Sequence, residues 1–230
     1  MKMLASHATQ IGHASLLIID FMVLVSALYF LAKSQASPAS QNRIVFLAIA
    51  SFAIIGRWVM EPLPNIQPVT VLVLVGGILL GARRGIALAL IITLVSNILL
   101  GSGLWTVFQA IGWSLVAVVG AIFADKFTEA EGKINLLPVL IVGFASGIVF
   151  NWIVSFSVLP TLADGGAFLD YLIIGLPYDL MHAFGNFTMA LWLVPIINHL
   201  LYSNSLNTSA TSPESITDSV ANNTESSLLA

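Results

Sequence analysis

The stretch "PYDLMHAFGN", residues 177–186, concentrates an acid, an imidazole and an amide in otherwise apolar surroundings. Asp179, His182 and Asn186 stand at i, i+3 and i+7, a spacing that puts all three on one face of a helix. Such groups in one cavity can orient a ligand, hold an ion or pass a proton, and at membrane depth they mark a site or a pathway by default. The plainer alternative is that Asp179 caps or pairs locally while His182 hydrogen-bonds a neighbouring helix. A metal centre is disfavoured, because no second group of ligands shows the spacing of a metal site. There is no serine-glycine elbow and no histidine in register with a nucleophile, so the chain reads as a non-enzyme. An intramembrane enzyme would have to work through Asp179 and His182.

Further polar residues interrupt apolar runs elsewhere. "RWVMEPLPNIQPVT" (57–70) brings Arg57, Glu61 and Asn65 into a proline-broken segment, with Glu61 at i+4 from Arg57 and so placed to pair with it. Asn97 precedes "GSGLWT" (101–106); Trp105, Gln109 and Trp113 follow at near-helical spacing. Asn151 and Trp152 precede the stretch 157–179, which reads as an outer loop. The tryptophans are placed either to stack on a flat ligand or to anchor at the membrane interface; Gln109, one turn after Trp105, needs a polar partner.

The elements that carry these residues are membrane helices. The chain is 58% hydrophobic and 8% charged, where a soluble domain carries about a quarter charged residues. Apolar runs at 14–32, 44–60, 69–81, 86–100, 105–124, 136–159 and 171–201 predict seven spans, each needing about 20 residues to cross the hydrocarbon. The runs 69–81 and 86–100 are short. A single long segment would bury Arg83 and Arg84 near the midplane at about 3 kcal/mol each, so two short spans joined by a "GARRG" hairpin are expected. Absence of cysteine excludes disulfides and thiolate metal sites. The net charge of −3 gives no reason to expect nucleic acid as a partner.

Basic residues sort by loop. Lys33, Arg43, Arg83, Arg84, Lys126 and Lys133 fall in alternate connections, which the positive-inside rule makes cytoplasmic. The N-terminus is then outside, the C-terminus is in the cytoplasm, and the proline-broken segment, "GSGLWT" and 157–179 share the outer face. Residues 1–43 read as an extra first span with its linker, 44–202 as a six-helix membrane domain, and 203–230 as a polar tail too poor in apolar residues to pack. Ala48, Ser51 and Ala53 give the second span a small-residue face suited to close helix contact, and Gly143 and Gly147 in "GFASG" do the same later. Arg83 and Arg84 are placed to meet headgroups or an acidic cytoplasmic partner.

The order of a span ending in a proline-broken outer loop, two short spans around "GARRG", then "SNILLGSGLWTVFQAIGW" resembles the substrate-binding S components of energy-coupling factor (ECF) transporters. With "GFASGIVFNW" and "YDLMHAFGN", it is most similar to the cobalamin branch, whose Gly-x-Gly-x-Trp-x-x-x-Gln stretch corresponds here to Gly101, Gly103, Trp105 and Gln109. The resemblance implies an all-α, polytopic S-component-like bundle in the cell membrane. It also implies capture of a vitamin from outside and coupling through a transmembrane T component to two cytosolic ATPases, with no cofactor on this chain. By position, Arg57, Glu61, Asn65, Asn97, Trp105, Gln109, Trp113, Asn151, Asp179, His182 and Asn186 would face substrate. Ala48, Ser51 and Ala53, with Arg83 and Arg84, would face the partner. The family's alanine-xxx-alanine docking signature is absent from the second span. A stand-alone ion-coupled secondary transporter is the alternative, although no two inverted halves with matched broken helices are visible.

Overall fold

The computed structural model describes residues 12–34 and 40–210, with the side chains of 40–42 and 202–210 excepted. Its helices are α1 (His13–Lys33), α2 (Ser40–Val59), α3 (Val69–Leu80), α4 (Ala82–Leu100), α5 (Leu104–Ile122), a single turn α6 (Ala124–Phe127), α7 (Leu136–Ser155) and α8 (Gly165–Ala210). A 3-10 turn, Phe156–Thr161, extends α7. The protein is an all-α membrane bundle. Among the described residues five helical segments are long and apolar enough to cross a membrane: His13–Lys33, Ala82–Leu100, Leu104–Ile122, Leu136–Thr161 and Gly165–Leu201.

The core is organised around α3. Its residues Val69 to Ile78 are all buried, enclosed by α2, α4, α5, α7 and α8. A helix so wrapped needs no polar face, and "VTVLVLVGGILL" has almost none. At 12 residues it is about 18 Å long, little more than half of a hydrocarbon core of about 30 Å. Its first residues, Val69 and Thr70, are already buried in the bundle, and residues 60–68 lead into it as non-helical chain that is exposed over 61–64 and buried at Pro68.

The two expected segments do form separate helices joined by a tight turn, but the turn is shorter than "GARRG". A single residue, Gly81 at φ 79°, breaks the chain, and Arg83 and Arg84 already belong to the first turn of α4, which is a full 19 residues. Only α3 is short. Close backbone contact then locks α3 to α5: a Cβ on Gly77 would lie 2.0 Å from the Ala117 carbonyl oxygen. Gly147 does the same between α7 and α8, where a Cβ would meet the Ala183 backbone nitrogen at 2.6 Å. The Gly143–Gly147 face thus serves packing within the chain.

α1 lies at the edge, packed on α4 and α5 through Val23 and Ala27 against Leu90 and Ala110. Its last carbonyl, that of Lys33, accepts a hydrogen bond from Arg83 Nη1 at 2.8 Å. On α2, Ala53 is fully buried in the core, which removes it from any docking surface, whereas Ala48 and Ser51 are exposed. The stretch 157–179 is not an open loop. Asp164 caps α8, its Oδ1 accepting from Ala167 N–H at 2.9 Å, so the helix begins at Gly165 and absorbs the rest. Phe156 bridges Phe108 of α5 and Phe168 of α8, with ring centroids 6.4 and 5.4 Å away. α8 contains Pro177 and Pro195 and continues through 203–210, into the stretch expected as tail; 211–230 lie outside the described residues.

Candidate functional site

Arg57 lies in the last turn of α2 with its side chain turned into the bundle, only 5% exposed. Nε donates to Gln67 Oε1 at 3.3 Å, and Nη1 donates to Asn97 Oδ1 at 2.8 Å and to Ser96 Oγ. The guanidinium also sits over the Trp113 ring, 5.0 Å from its centroid, a cation–π contact worth about 0.5–2 kcal/mol. Ser96 accepts this bond while its own hydroxyl donates to Ile92 O at 2.6 Å. The Ser96 carbonyl accepts from Trp58 Nε1 at 2.9 Å.

The expected Arg57–Glu61 pair does not form. α2 ends at Val59, so the i+4 relation is lost, and Glu61 remains exposed, lining an open depression of about 340 Å³ with Trp58, Leu99 and Leu100. Lys126–Asp125 and Lys133–Glu131 form ion pairs at the surface, away from Arg57. Arg57 is thus a buried cation whose protein partners are all neutral.

Asn97 distributes the contact onward. Its Nδ2 donates to Thr106 Oγ1 at 3.0 Å and to Gln109 Oε1 at 3.1 Å, and Thr106 Oγ1 also accepts from Gly103 N–H at 3.1 Å. This fixes the start of α5 against the end of α4. Trp113, one turn after Gln109, is 2% exposed; it stacks on Phe150 at 4.7 Å and donates Nε1–H to Thr70 Oγ1 at 3.2 Å.

From Thr70 the chain of hydrogen bonds has a direction. Thr70 Oγ1 lies 3.1 Å from His182 Nε2, and His182 Nδ1 lies 3.0 Å from Asn151 Oδ1. Asn151 Nδ2 donates to Asp179 Oδ1 at 3.0 Å, and Trp152 Nε1 donates to Asp179 Oδ2 at 2.9 Å. A carboxylate only accepts, so the Asn151 amide must point its nitrogen at Asp179 and its oxygen at His182. His182 therefore carries its proton on Nδ1. Its Nε2 accepts from the Thr70 hydroxyl, whose oxygen is already engaged by Trp113. One neutral imidazole satisfies every member of the chain.

Most residues expected from the sequence meet in this network: Arg57, Asn97, Gln109, Trp113, Asn151, Asp179 and His182. Asn65, in the left-handed region at φ 60°, donates to the Tyr178 carbonyl at 3.1 Å and ties the α2–α3 connection to α8. Trp105 folds its ring back over Gly103 and does not join. Asn186 also falls outside; fully buried, it donates to Gly143 O on α7 at 3.0 Å, and its Oδ1 has no partner among the described residues. Gln67 and Thr70 were missed as site residues. The signal was present, since Gln67 lies inside "PLPNIQP" and Thr70 is the one hydroxyl in α3's apolar run.

The one hydroxyl beside the imidazole is that of Thr70, which is buried and bonded to both His182 and Trp113, while Ser96 bonds Arg57 and Ile92. No group of three His, Asp or Glu residues is close enough to share a metal ion among the described residues. The network holds the buried Arg57 guanidinium and the buried Asp179 carboxyl group apart, with neutral donors, acceptors and aromatic rings between them. No curated protein and no solved structure matches the chain. Residues 37–205, from just before α2 into the last part of α8, match a family of unknown function, DUF6580, and the chain belongs to that family.

Proposed function

We propose that this chain is the solute-capturing S component of an ECF-type importer. It would take a vitamin or related micronutrient, cobalamin being the first candidate, from outside. Transport would be driven by a T component and two cytosolic ATPases. The observation that carries this reading is the convergence of α2, α3, α4, α5, α7 and α8 on one buried polar network, at the end of the bundle opposite Arg83 and Arg84. Buried polar groups within a membrane bundle face a partner or a pathway rather than lipid. The basic residues put the Arg83–Arg84 end in the cytoplasm, which turns the network toward the outside. Ala48 and Ser51, exposed on α2 beside Leu47 and Phe52, are the remaining docking candidates for the T component.

The test is purification from membranes in mild detergent, with mass spectrometry of the small molecules and proteins that come with it and equilibrium binding of cobalamin and other vitamins. A bound micronutrient together with ATPase subunits supports the reading. An empty protein that moves a solute alone in liposomes under an ion gradient refutes it. That second outcome would favour a stand-alone secondary transporter, for which Asp179, Asn151, His182 and Thr70 form the kind of intramembrane relay that couples an ion.

A further inference from the structure

Negative charge gathers where α2 and α4 end. α2 stops at Val59 and α4 at Leu100, both beside the open depression of about 340 Å³ that Trp58, Glu61, Leu99 and Leu100 line. The last carbonyls of a helix have no N–H from a following turn, and its C-terminus carries about half a negative charge. At α4 the Gly101 N–H takes the Asn97 carbonyl and the Trp58 indole takes that of Ser96. No donor among the described residues reaches the carbonyls of Ile98, Leu99 and Leu100. The Glu61 carboxylate adds a full charge and has no hydrogen-bond or ion-pair partner among the described residues. The nearest cation in sequence, Arg57, faces away, 5% exposed and bonded to Gln67, Ser96 and Asn97.

The depression also has an apolar side and a defined depth. Trp58 is held by its 2.9 Å bond to the Ser96 carbonyl, so its ring stands as a fixed wall. Beside it Val59, Ile98 and Leu99 are 72%, 72% and 66% exposed, a surface that faces acyl chains in a membrane protein. α4 runs 19 residues from the Arg83–Arg84 end to Leu100, about 28 Å, close to a hydrocarbon thickness of about 30 Å. With the two arginines at one headgroup level, the depression stands at the headgroup level of the opposite leaflet. Tryptophan favours that depth, with its ring in the apolar layer and its N–H bonded.

We propose that this depression binds the primary ammonium headgroup of a membrane phospholipid, of the phosphatidylethanolamine type. Glu61 and the open carbonyls of α4 accept its N–H bonds, which a charge on each partner strengthens. The Trp58 ring attracts the same cation through its face, and Val59, Ile98 and Leu99 carry the acyl chains. A quaternary ammonium has no N–H to give and is left with the ring alone, while an anionic headgroup meets repulsion from Glu61 and the helix end. Glu61 makes no bond to the buried network, so the lipid site stands whatever solute that network captures.

The experiment uses the full chain, delipidated in dodecyl maltoside, with thermal unfolding followed by tryptophan fluorescence. Dioleoylphosphatidylethanolamine is titrated in mixed micelles against dioleoylphosphatidylcholine and dioleoylphosphatidylglycerol at equal lipid-to-detergent ratio. Ethanolamine hydrochloride is the soluble amine probe. The variants are Glu61→Gln and, as a control, Glu129→Gln, which removes an exposed acid from the connection before α7. Because Glu61 is exposed and without a partner, its variant should unfold at the wild-type Tm when no lipid is added. A saturable rise in Tm, largest with the ethanolamine lipid, lost in Glu61→Gln and kept in Glu129→Gln, is the expected result. An equal rise with the choline lipid, a larger one with the glycerol lipid, or the same rise in Glu61→Gln as in wild type overturns the proposal. So does no rise with any lipid. A rise of the same size with ethanolamine alone overturns the lipid assignment and gives the site to a soluble amine.

Discussion

Thr70 offers a sharp test of the network, because one hydroxyl serves two buried partners. It accepts from Trp113 Nε1 at 3.2 Å and meets His182 Nε2 at 3.1 Å. Thr70→Val keeps the shape and removes both bonds, leaving an indole N–H and an imidazole nitrogen without partners in a region where Trp113 and His182 are 2% and 5% exposed. Each buried group so stranded costs about 1–3 kcal/mol, so the loss is about 2–6 kcal/mol. Thr70→Ser keeps the hydroxyl and deletes one methyl, at about 1 kcal/mol. At about 2–4 °C per kcal/mol for a chain of this size, the valine variant should unfold several degrees below the serine variant. The assay is thermal unfolding in detergent, read by tryptophan emission. Equal Tm values for the two variants would show that Thr70 is not the junction between Trp113 and His182.

Nitrogen-15 NMR of His182 should report a neutral ring protonated at Nδ1, and an Nε2–H form would reverse the direction of the relay. Gly77→Ala should prevent accumulation of folded protein, since its Cβ would stand 2.0 Å from a backbone oxygen of α5, while Gly165→Ala, with open space around it, should express normally; comparable expression of the two would refute the close packing of α3 on α5. In the loop before α7, hydrogen bonding and then charge from Lys133 hold the Glu131 carboxyl below its ordinary value. The small stabilisation it lends is present above the unfolded pKa and fades as pH falls through the lower folded one. A carbon-13 titration should therefore show a raised midpoint in Lys133→Met; an unchanged midpoint would refute the pairing.

Much of the candidate site was legible because polar groups are conspicuous in a chain this apolar. Asp179, His182, Asn151, Asn97 and Arg57 stand out against long runs of Leu, Ile and Val, and hydropathy alone required them to find partners. Which partners they found was not legible. The Arg57–Glu61 pair failed because the helix stopped two residues after Arg57, and Asn186 turned to the Gly143 carbonyl although its spacing matched that of Asp179 and His182.

Composition and periodicity by themselves determined that the chain is a bundle of membrane helices, that its polar residues gather at one end, and that glycines mark its tightest contacts. Hydrophobic transfer dictates those features residue by residue, with no need of long-range geometry. Tertiary structure alone decided that α3 is the enclosed centre, that its first turn is buried, and that Gln67 and Thr70 join the network. Those outcomes depend on side chains from helices as distant in sequence as α3 and α8 meeting at hydrogen-bond distance. One helix turn of shift along α8 would have left His182 facing a different neighbour with the same sequence around it.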